Sequence, residues 1–491
     1  MNTPVRRIAL AVMAMVVLLL GNLTYVQVVK AGDYRSDNRN KRVVLAEYAR
    51  KRGQISAGNQ ILARSTETTD RLRYQRQYPD GPAFAAITGF YSVNHGSSQL
   101  ESAAGDILNG SDDRLFVRRL SDLITGRDPS GANLVLTVDP DVQQTAFDQL
   151  SSQDYRGAVV ALEPKTGAIL AMASTPSYDP NRLATHDAAA EAKAWNELST
   201  AKPPVLNNRA IAERYPPGST FKLIVTAAAL SSGKFTPESR LTAVPNLVLA
   251  NGSTDLENYN GNACGTGETA SLREALQRSC NTAFAELAAL LGEQAIREQA
   301  EAFGIGTEEI SIPMPVAEST IGPIADTTAL QQSAIGQLNV AFTPMQNAMV
   351  AATIASGGKL MKPYLIKEIQ APDLAPVQTT EPDQLGQAMS PAVAATLTSL
   401  MVNNEQSYAG SGKIEGVRIA AKTGTAELGS KDIAPHVWYV AFAPAENPTV
   451  AVAVLIENGG DGNDLAATGG KVAAPIGRAV IKTALEKAGV G

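Results

Sequence analysis

The chain has 491 residues, 44% of them hydrophobic, enough for two or more domains that each bury a core. A formal net charge of -6 and a pI near 5.4 argue against a general nucleic-acid binder. Two cysteines are too few for a disulfide framework, and the three histidines, His95, His186 and His436, show no metal-ligand spacing.

Arg6 and Arg7 are followed by a mostly apolar run from Ile8 to about Val29. About 20 residues of helix cross a hydrocarbon core, so the run is just long enough to span. Its strongest part, Ile8 to Leu20, has the length of a cleavable signal core, but Asn22, Thr24, Tyr25 and Gln27 follow instead of an Ala-x-Ala-like site. The expectation is an uncleaved signal-anchor over residues 1–30. Lys30, Arg35, Arg39, Lys41 and Arg42 follow it, so local charge counting sets no orientation.

Residues 31–131 are polar and rich in arginine, and read as a small module of their own. Ile55-Ser-Ala, a Gly58-Asn59 turn and Ile61-Leu-Ala63 predict a hairpin. Leu100-Glu101 and Leu108-Asn-Gly110 close a helical patch, and Asp128-Pro-Ser-Gly131 is loop chemistry at a candidate boundary.

Residues 132–491 begin with a strand, Leu134 to Val138. Asp139-Pro140 follows as a helix cap with proline at the first helical position. Gly157 to Leu162 and Ala168 to Ala173 predict apolar strands joined by a turn at Glu163 to Gly167. Helices are expected to dominate from Ala188 to about Phe303. Strands return at Arg418 to Lys422, Val437 to Ala443 and Thr449 to Glu457, before an amphipathic helix from Val472 to Ala488; Asp461 to Asp464 reads as a mobile loop. This order predicts an α+β domain: an antiparallel sheet closed by both ends of the domain, flanked by helices, with a helical subdomain between.

Within that frame stands Tyr215-Pro-Pro-Gly-Ser219-Thr-Phe-Lys222, ahead of an apolar helix, Leu223 to Leu230. A helix starting at Ser219 puts Lys222 one turn away on the same face. An amine next to a hydroxyl at a helix N-terminus is what an activated serine requires. Ser279-Cys280-Asn281 lies between helices at Leu272 to Arg278 and Ala283 to Leu291, and Lys422-Thr423-Gly424-Thr425 ends an apolar strand. Each motif is common alone; in this order, some 60 and 140 residues apart, chance explains them poorly.

The three motifs together resemble those of the penicillin-recognising serine enzymes. Thr166 to Met172 with Ser174-Thr-Pro176 and Asp179-Pro-Asn181, Ile335-Gly-Gln337 with Thr343-Pro344, and His436 to Pro444 are similar to stretches of penicillin-binding transpeptidase domains. Arg52-Gly-Gln-Ile55 and the Leu100-Glu101 region resemble the N-terminal pedestal of class B penicillin-binding proteins, and the overall plan, a small pedestal plus one transpeptidase domain, resembles the actinobacterial A type. The stretch before residue 130 is too short for a glycosyltransferase domain.

The resemblance implies a peptidoglycan D,D-transpeptidase without metal or cofactor. Ser219 would be the nucleophile, Lys222 its base, Ser279 a proton relay and Asn281 a substrate and lysine holder. Lys422, Thr423 and Thr425 would bind the substrate carboxylate, with the amides of Ser219 and Thr425 as oxyanion hole. Gly424 would leave the strand edge open to the substrate backbone. Its partners would be stem peptides and their lipid-linked precursor, β-lactams, the membrane through the N-terminal helix, and a membrane-embedded glycan polymerase or division proteins, with the catalytic domain outside the membrane. At such a site a Cys264–Cys280 bridge is allowed; two free thiols are the alternative. Other readings are a D,D-carboxypeptidase, which differs only in the acceptor, and a β-lactamase, whose Glu-x-x-Leu-Asn element is not found after the second motif. A β-lactam-binding sensor would want further spans, and a non-catalytic scaffold would have no need of intact motifs.

Overall fold

The computed structural model describes residues 3–30, 48–126, 128, 130–307, 310–408, 413–429, 432–460, 462 and 464–489. The basic residues 35–42 and two of the four residues of the expected loop at 461–464 lie outside these. Helix α1, Thr3–Thr24, continues as a π-helical turn, Tyr25–Val29. Together they form a 27-residue apolar helix that buries nothing against the protein. At 1.5 Å per residue it is about 40 Å long, enough to cross a bilayer core.

The next elements are β1 (Ile55–Ala57), β2 (Gln60–Glu67), β3 (Tyr74–Gln77), α2 (Gly81–Thr88), β4 (Asn133–Leu136) and α3 (Pro140–Ser151). Asp139 caps α3 by accepting from the amides of Asp141 and Val142, as expected of an Asp-Pro start. Strands β5 (Gly157–Leu162) and β6 (Ile169–Thr175) form the predicted hairpin. The middle of the chain carries α4 (Lys222–Ser231), α5 (Leu272–Gln277), α6 (Asn281–Leu291) and α7 (Pro344–Ala355). It is not wholly helical. Two small antiparallel pairs, Arg240–Thr242 with Thr269–Ser271 and Asn246–Val248 with Asp255–Glu257, interrupt it. Residues 236–269 are rich in Pro, Gly, Asn and Thr, which favour turns over helix.

The last third holds β7 (Ile366–Gln370), β8 (Pro376–Thr379), α8 (Pro391–Tyr408), β9 (Ala420–Ala426), β10 (His436–Ala443), β11 (Val450–Ile456) and α9 (Ala473–Lys487). The main sheet runs β9-β10-β11-β5-β6, antiparallel throughout. The β11–β5 pairing joins the end of the domain to its beginning. Along β11 the side chains alternate. Val450, Val452, Val454 and Ile456 pack under α3 and α9, while Ala451 and Ala453 join the core that includes α7. Both faces are therefore covered, which is why these strands read as continuous apolar runs.

A second sheet, β8-β7-β4-β1-β2-β3, crosses the boundary expected between residues 131 and 132. Strand β4 runs parallel to β1, with Ile55 opposite Leu134, and antiparallel to β7. The strands on either side of residue 131 thus share one hydrogen-bonded ladder.

Candidate active site

The stretch Tyr215 to Lys222 is a tight turn feeding a buried helix. Gly218 has φ +53°, and Gly218–Thr220 form a 3-10 turn that opens the helical path one residue before Ser219. Ser219 is half-buried and Lys222, at the head of α4, is fully buried. Lys222 Nζ donates to the Ser279 carbonyl oxygen at 2.7 Å, to Asn281 Oδ1 at 2.7 Å and, at 3.4 Å, to Ser279 Oγ.

The second motif is held by its neighbours. A capping box of Ser271 and Glu274 starts α5, and the helix ends before Ser279, whose φ of +58° lies in the left-handed region. This conformation is costly for a serine. It accompanies an arrangement in which both oxygens of Ser279 face Lys222. Asn281 opens α6, and its Nδ2 donates to the Glu257 carbonyl at 2.9 Å. Cys280 is bonded to Cys264 with a Cα–Cα distance of 5.8 Å, which ties the loop after residue 261 to the motif.

The third motif lies inside β9 and not at its end. Pairing with β10 continues from Lys422 opposite Val440 to Ala426 opposite His436, and β10 is apolar and buried from Val437 onward. Lys422 and Gly424 share one face of β9, and Thr423 and Thr425 the other. Lys422 Nζ donates to Ser279 Oγ at 2.8 Å and to the Thr423 carbonyl at 2.9 Å. Thr423 lies beside Gly470.

Gly424 packs tightly beneath the turn before α4. A Cβ there would stand 2.8 Å from the Pro217 carbonyl oxygen, 3.0 Å from Thr220 Cγ2 and 3.1 Å from Trp438 Cβ. The space that glycine leaves is filled by the turn at Pro217 to Thr220 and by Trp438. By side-chain alternation this position faces the same way as Lys422, toward the turn that carries Ser219.

Four of the expected residues, Lys222, Ser279, Asn281 and Lys422, are therefore joined by hydrogen bonds where α4, α6 and β9 converge, and Ser219 stands three positions before Lys222 in the turn that leads into α4. Burial, and next the nearby Lys422, hold Lys222 well below the ordinary lysine range. Burial brings Lys422 down to about 7. The two amines share the Ser279 hydroxyl, so a proton on one disfavours a proton on the other. Among the described residues no group of three or more His, Cys, Asp or Glu is arranged to hold a metal.

Three supporting residues escaped the reading of the sequence. Trp438 Nε1 donates to the Pro216 carbonyl at 2.9 Å. Asn347 Oδ1 accepts from Thr220 Oγ1 at 3.3 Å. Glu257 contributes only its carbonyl. A polar residue on a buried helix face, as Asn347 is on α7, was the one available signal.

A serine one turn from a buried lysine, with a second lysine on a sheet edge and a serine between them, defines an acyl-transferring serine enzyme of the penicillin-recognising class. The chain belongs to the penicillin-binding protein transpeptidase family. The family model described as penicillin binding protein transpeptidase domain matches residues 157–482, and that of the penicillin binding protein A dimerisation domain matches 52–134. Peptidoglycan D,D-transpeptidase PbpA of Mycolicibacterium smegmatis is 55% identical over 492 residues, covering 99% of this chain and all of the relative. The protein of the same name from Mycobacterium tuberculosis is 53% identical over 491 residues, covering 99% of each. A ceftriaxone acyl-enzyme structure of M. tuberculosis penicillin-binding protein A matches 90% of this chain and all of the solved one, with a TM-score of 0.87 and 53% identity.

Proposed function

We propose that this chain is a peptidoglycan D,D-transpeptidase in which Ser219 is the nucleophile and the two lysines manage its proton. The observation that carries the assignment is the convergence of Lys222 Nζ and Lys422 Nζ on Ser279, one helical turn from Ser219. Ser219 Oγ attacks the carbonyl carbon of the penultimate D-Ala of a stem peptide. Its proton passes to neutral Lys222. The tetrahedral centre is stabilised by the backbone amides of Ser219 and Thr425; losing one such donor typically costs about 3 kcal/mol. The C–N bond then breaks. The departing amine of D-Ala takes a proton relayed through Ser279 Oγ, leaving an ester on Ser219. An acceptor stem's amine attacks this ester, forms the crosslink and returns the proton to Ser219. Asn281 holds Lys222 and the substrate amide, and Lys422 with Thr423 and Thr425 receives the terminal carboxylate. β-Lactams enter at the same serine.

The substrates on this reading are stem peptides and their lipid-linked precursor. The apolar helix over residues 3–29 supports a single-pass membrane anchor, and the peptidoglycan substrate places the catalytic domain on the outer side. The pedestal, between the anchor and the catalytic domain, is then the surface for a membrane-embedded glycan polymerase or division proteins.

Labelled penicillin should form a long-lived adduct with the chain, mapped by mass spectrometry to the peptide containing Ser219, and Ser219→Ala should form none. Persistent labelling of Ser219→Ala would show a different nucleophile. Release of hydrolysed penicillin within seconds would place the chain with the β-lactamases instead.

A further inference from the structure

Behind the nucleophile loop lies a buried cluster of polar groups that the chemistry above does not use. Glu457, directly after β11, is 4% exposed. Its Oε1 accepts from Arg209 Nε at 3.0 Å and from the Tyr215 hydroxyl at 2.8 Å, and its Oε2 lies 2.5 Å from Arg156 Nε. The Tyr215 hydroxyl is also 2.8 Å from Glu213 Oε2, so its single proton goes to one of the two carboxylates at a time. His436 Nδ1 accepts from the amide of Asn458 at 3.1 Å, and its ring stands edge-on to Tyr215 with centroids 5.4 Å apart. Burial and the charge of Arg156 bring His436 down to about 4, so it is neutral. Two glutamates and two arginines then balance. Arg209 itself is wholly buried.

A buried ion pair of this kind is weak evidence for stability, since well-packed apolar residues often do as well. Its value lies in fixing one geometry. Here the element fixed is the turn that presents Ser219. Tyr215 forms an antiparallel bridge with Phe342, with 2.9 Å bonds in both directions, and packs with Trp438 and Leu455. Pro216 is held by the Trp438 indole, and Gly218 N donates to the Gly336 carbonyl at 3.0 Å. The Tyr215 hydroxyl links this turn to the end of β11 and, through Arg156 and Arg209, to the segments before β5 and after β6.

We propose that Glu457 is a positioning residue for acylation: through the Tyr215 hydroxyl it sets where the turn carrying Ser219 stands against β9. The proposal rests on Ser219 being the nucleophile. A misplacement of about 1 Å can cost a hundredfold in rate, so a modest shift is readable.

The test is rapid-mixing acylation of the full-length chain in detergent by a fluorescent penicillin. It separates the dissociation constant of the first complex from the acylation constant k2, and a thermal melt accompanies it. Tyr215→Phe keeps the ring and removes the hydroxyl. Its k2 should fall by about tenfold, with the dissociation constant within about twofold of wild type and the adduct still on Ser219. Glu457→Ala should fall at least as far. Glu457→Gln, whose amide oxygen still accepts from Tyr215, should recover part of the loss. If the Glu457 variants do not fold, Tyr215→Phe alone decides. A wild-type k2 in Tyr215→Phe, or equal values for the two Glu457 variants, overturns the proposal. An adduct on a residue other than Ser219 in the unmodified chain overturns instead the assignment beneath it.

Discussion

At the scale of residues, the active site stores an unfavourable arrangement. Two lysines are buried within reach of one serine hydroxyl, and both are pushed below the ordinary lysine range. Between about pH 7 and 10.5, the folded state binds fewer protons at Lys422 than the unfolded chain does. Stability should therefore rise with pH across that window, and the penalty is complete below it. Lys422→Met should be more stable than wild type at pH 6, by on the order of 1 kcal/mol, with the difference shrinking toward pH 10. It should also acylate far more slowly. Thermal melts at the two pH values check the first part and penicillin labelling the second; a variant less stable at pH 6 would show that Lys422 pays no burial penalty. Lys222 and Lys422 were legible as a pair of short motifs. That their amines meet on Ser279 was not, because spacing along a chain says nothing about which faces turn together.

At the scale of elements, the site depends on how closely β9 approaches the turn before α4. Gly424→Ala would press a methyl group against the Pro217 carbonyl and Thr220. The turn is polar backbone and cannot yield as a flexible side chain would. The expected result is a drop in acylation of about tenfold or more, with a loss of stability of about 1–3 kcal/mol typical of overpacking. Unchanged acylation would mean the turn moves freely. The Cys264–Cys280 bond acts on the opposite wall. It closes a loop of 17 residues, for which chain entropy predicts about 3 kcal/mol. Reduction, or Cys264→Ser with Cys280→Ser, should lower the melting temperature; an identical melt would show that the loop is ordered without it.

At the scale of the whole molecule, the pedestal and the catalytic domain are tied together. The shared sheet is one tie, and inside the pedestal Glu101 is buried between Arg52 Nε at 2.5 Å and Arg76 Nε at 2.6 Å. Burial alone would raise the Glu101 carboxyl, but Arg76 and Arg52 outweigh it and hold it below the usual range. Its stabilisation is thus present at neutral pH and lost only as pH falls below that range. A chain starting at residue 132 would strip β1 from β4 and expose a strand edge with Leu134 and Leu136 beside it. It should aggregate where a chain starting at residue 48 stays monodisperse by light scattering. A monodisperse, equally stable shorter chain would show two separable domains.

The sequence by itself determined the apolar span, the β5–β6 hairpin, the closing strands and the order of the three motifs. These are local matters: apolar periodicity, a cap, a turn, or a residue type at a fixed offset. Tertiary structure alone decided the rest. It placed β4 in the pedestal's ladder, set Gly424 against the nucleophile turn, and put Glu457 under Tyr215. Partners hundreds of residues apart leave no periodic trace, and a buried polar contact is defined by what it faces. The stretch from Tyr215 to Lys222 belongs to both lists. Its residues set the pattern on which the proposed nucleophile rests, and the fold supplied the two lysines' shared hydroxyl and the buried carboxylate behind it.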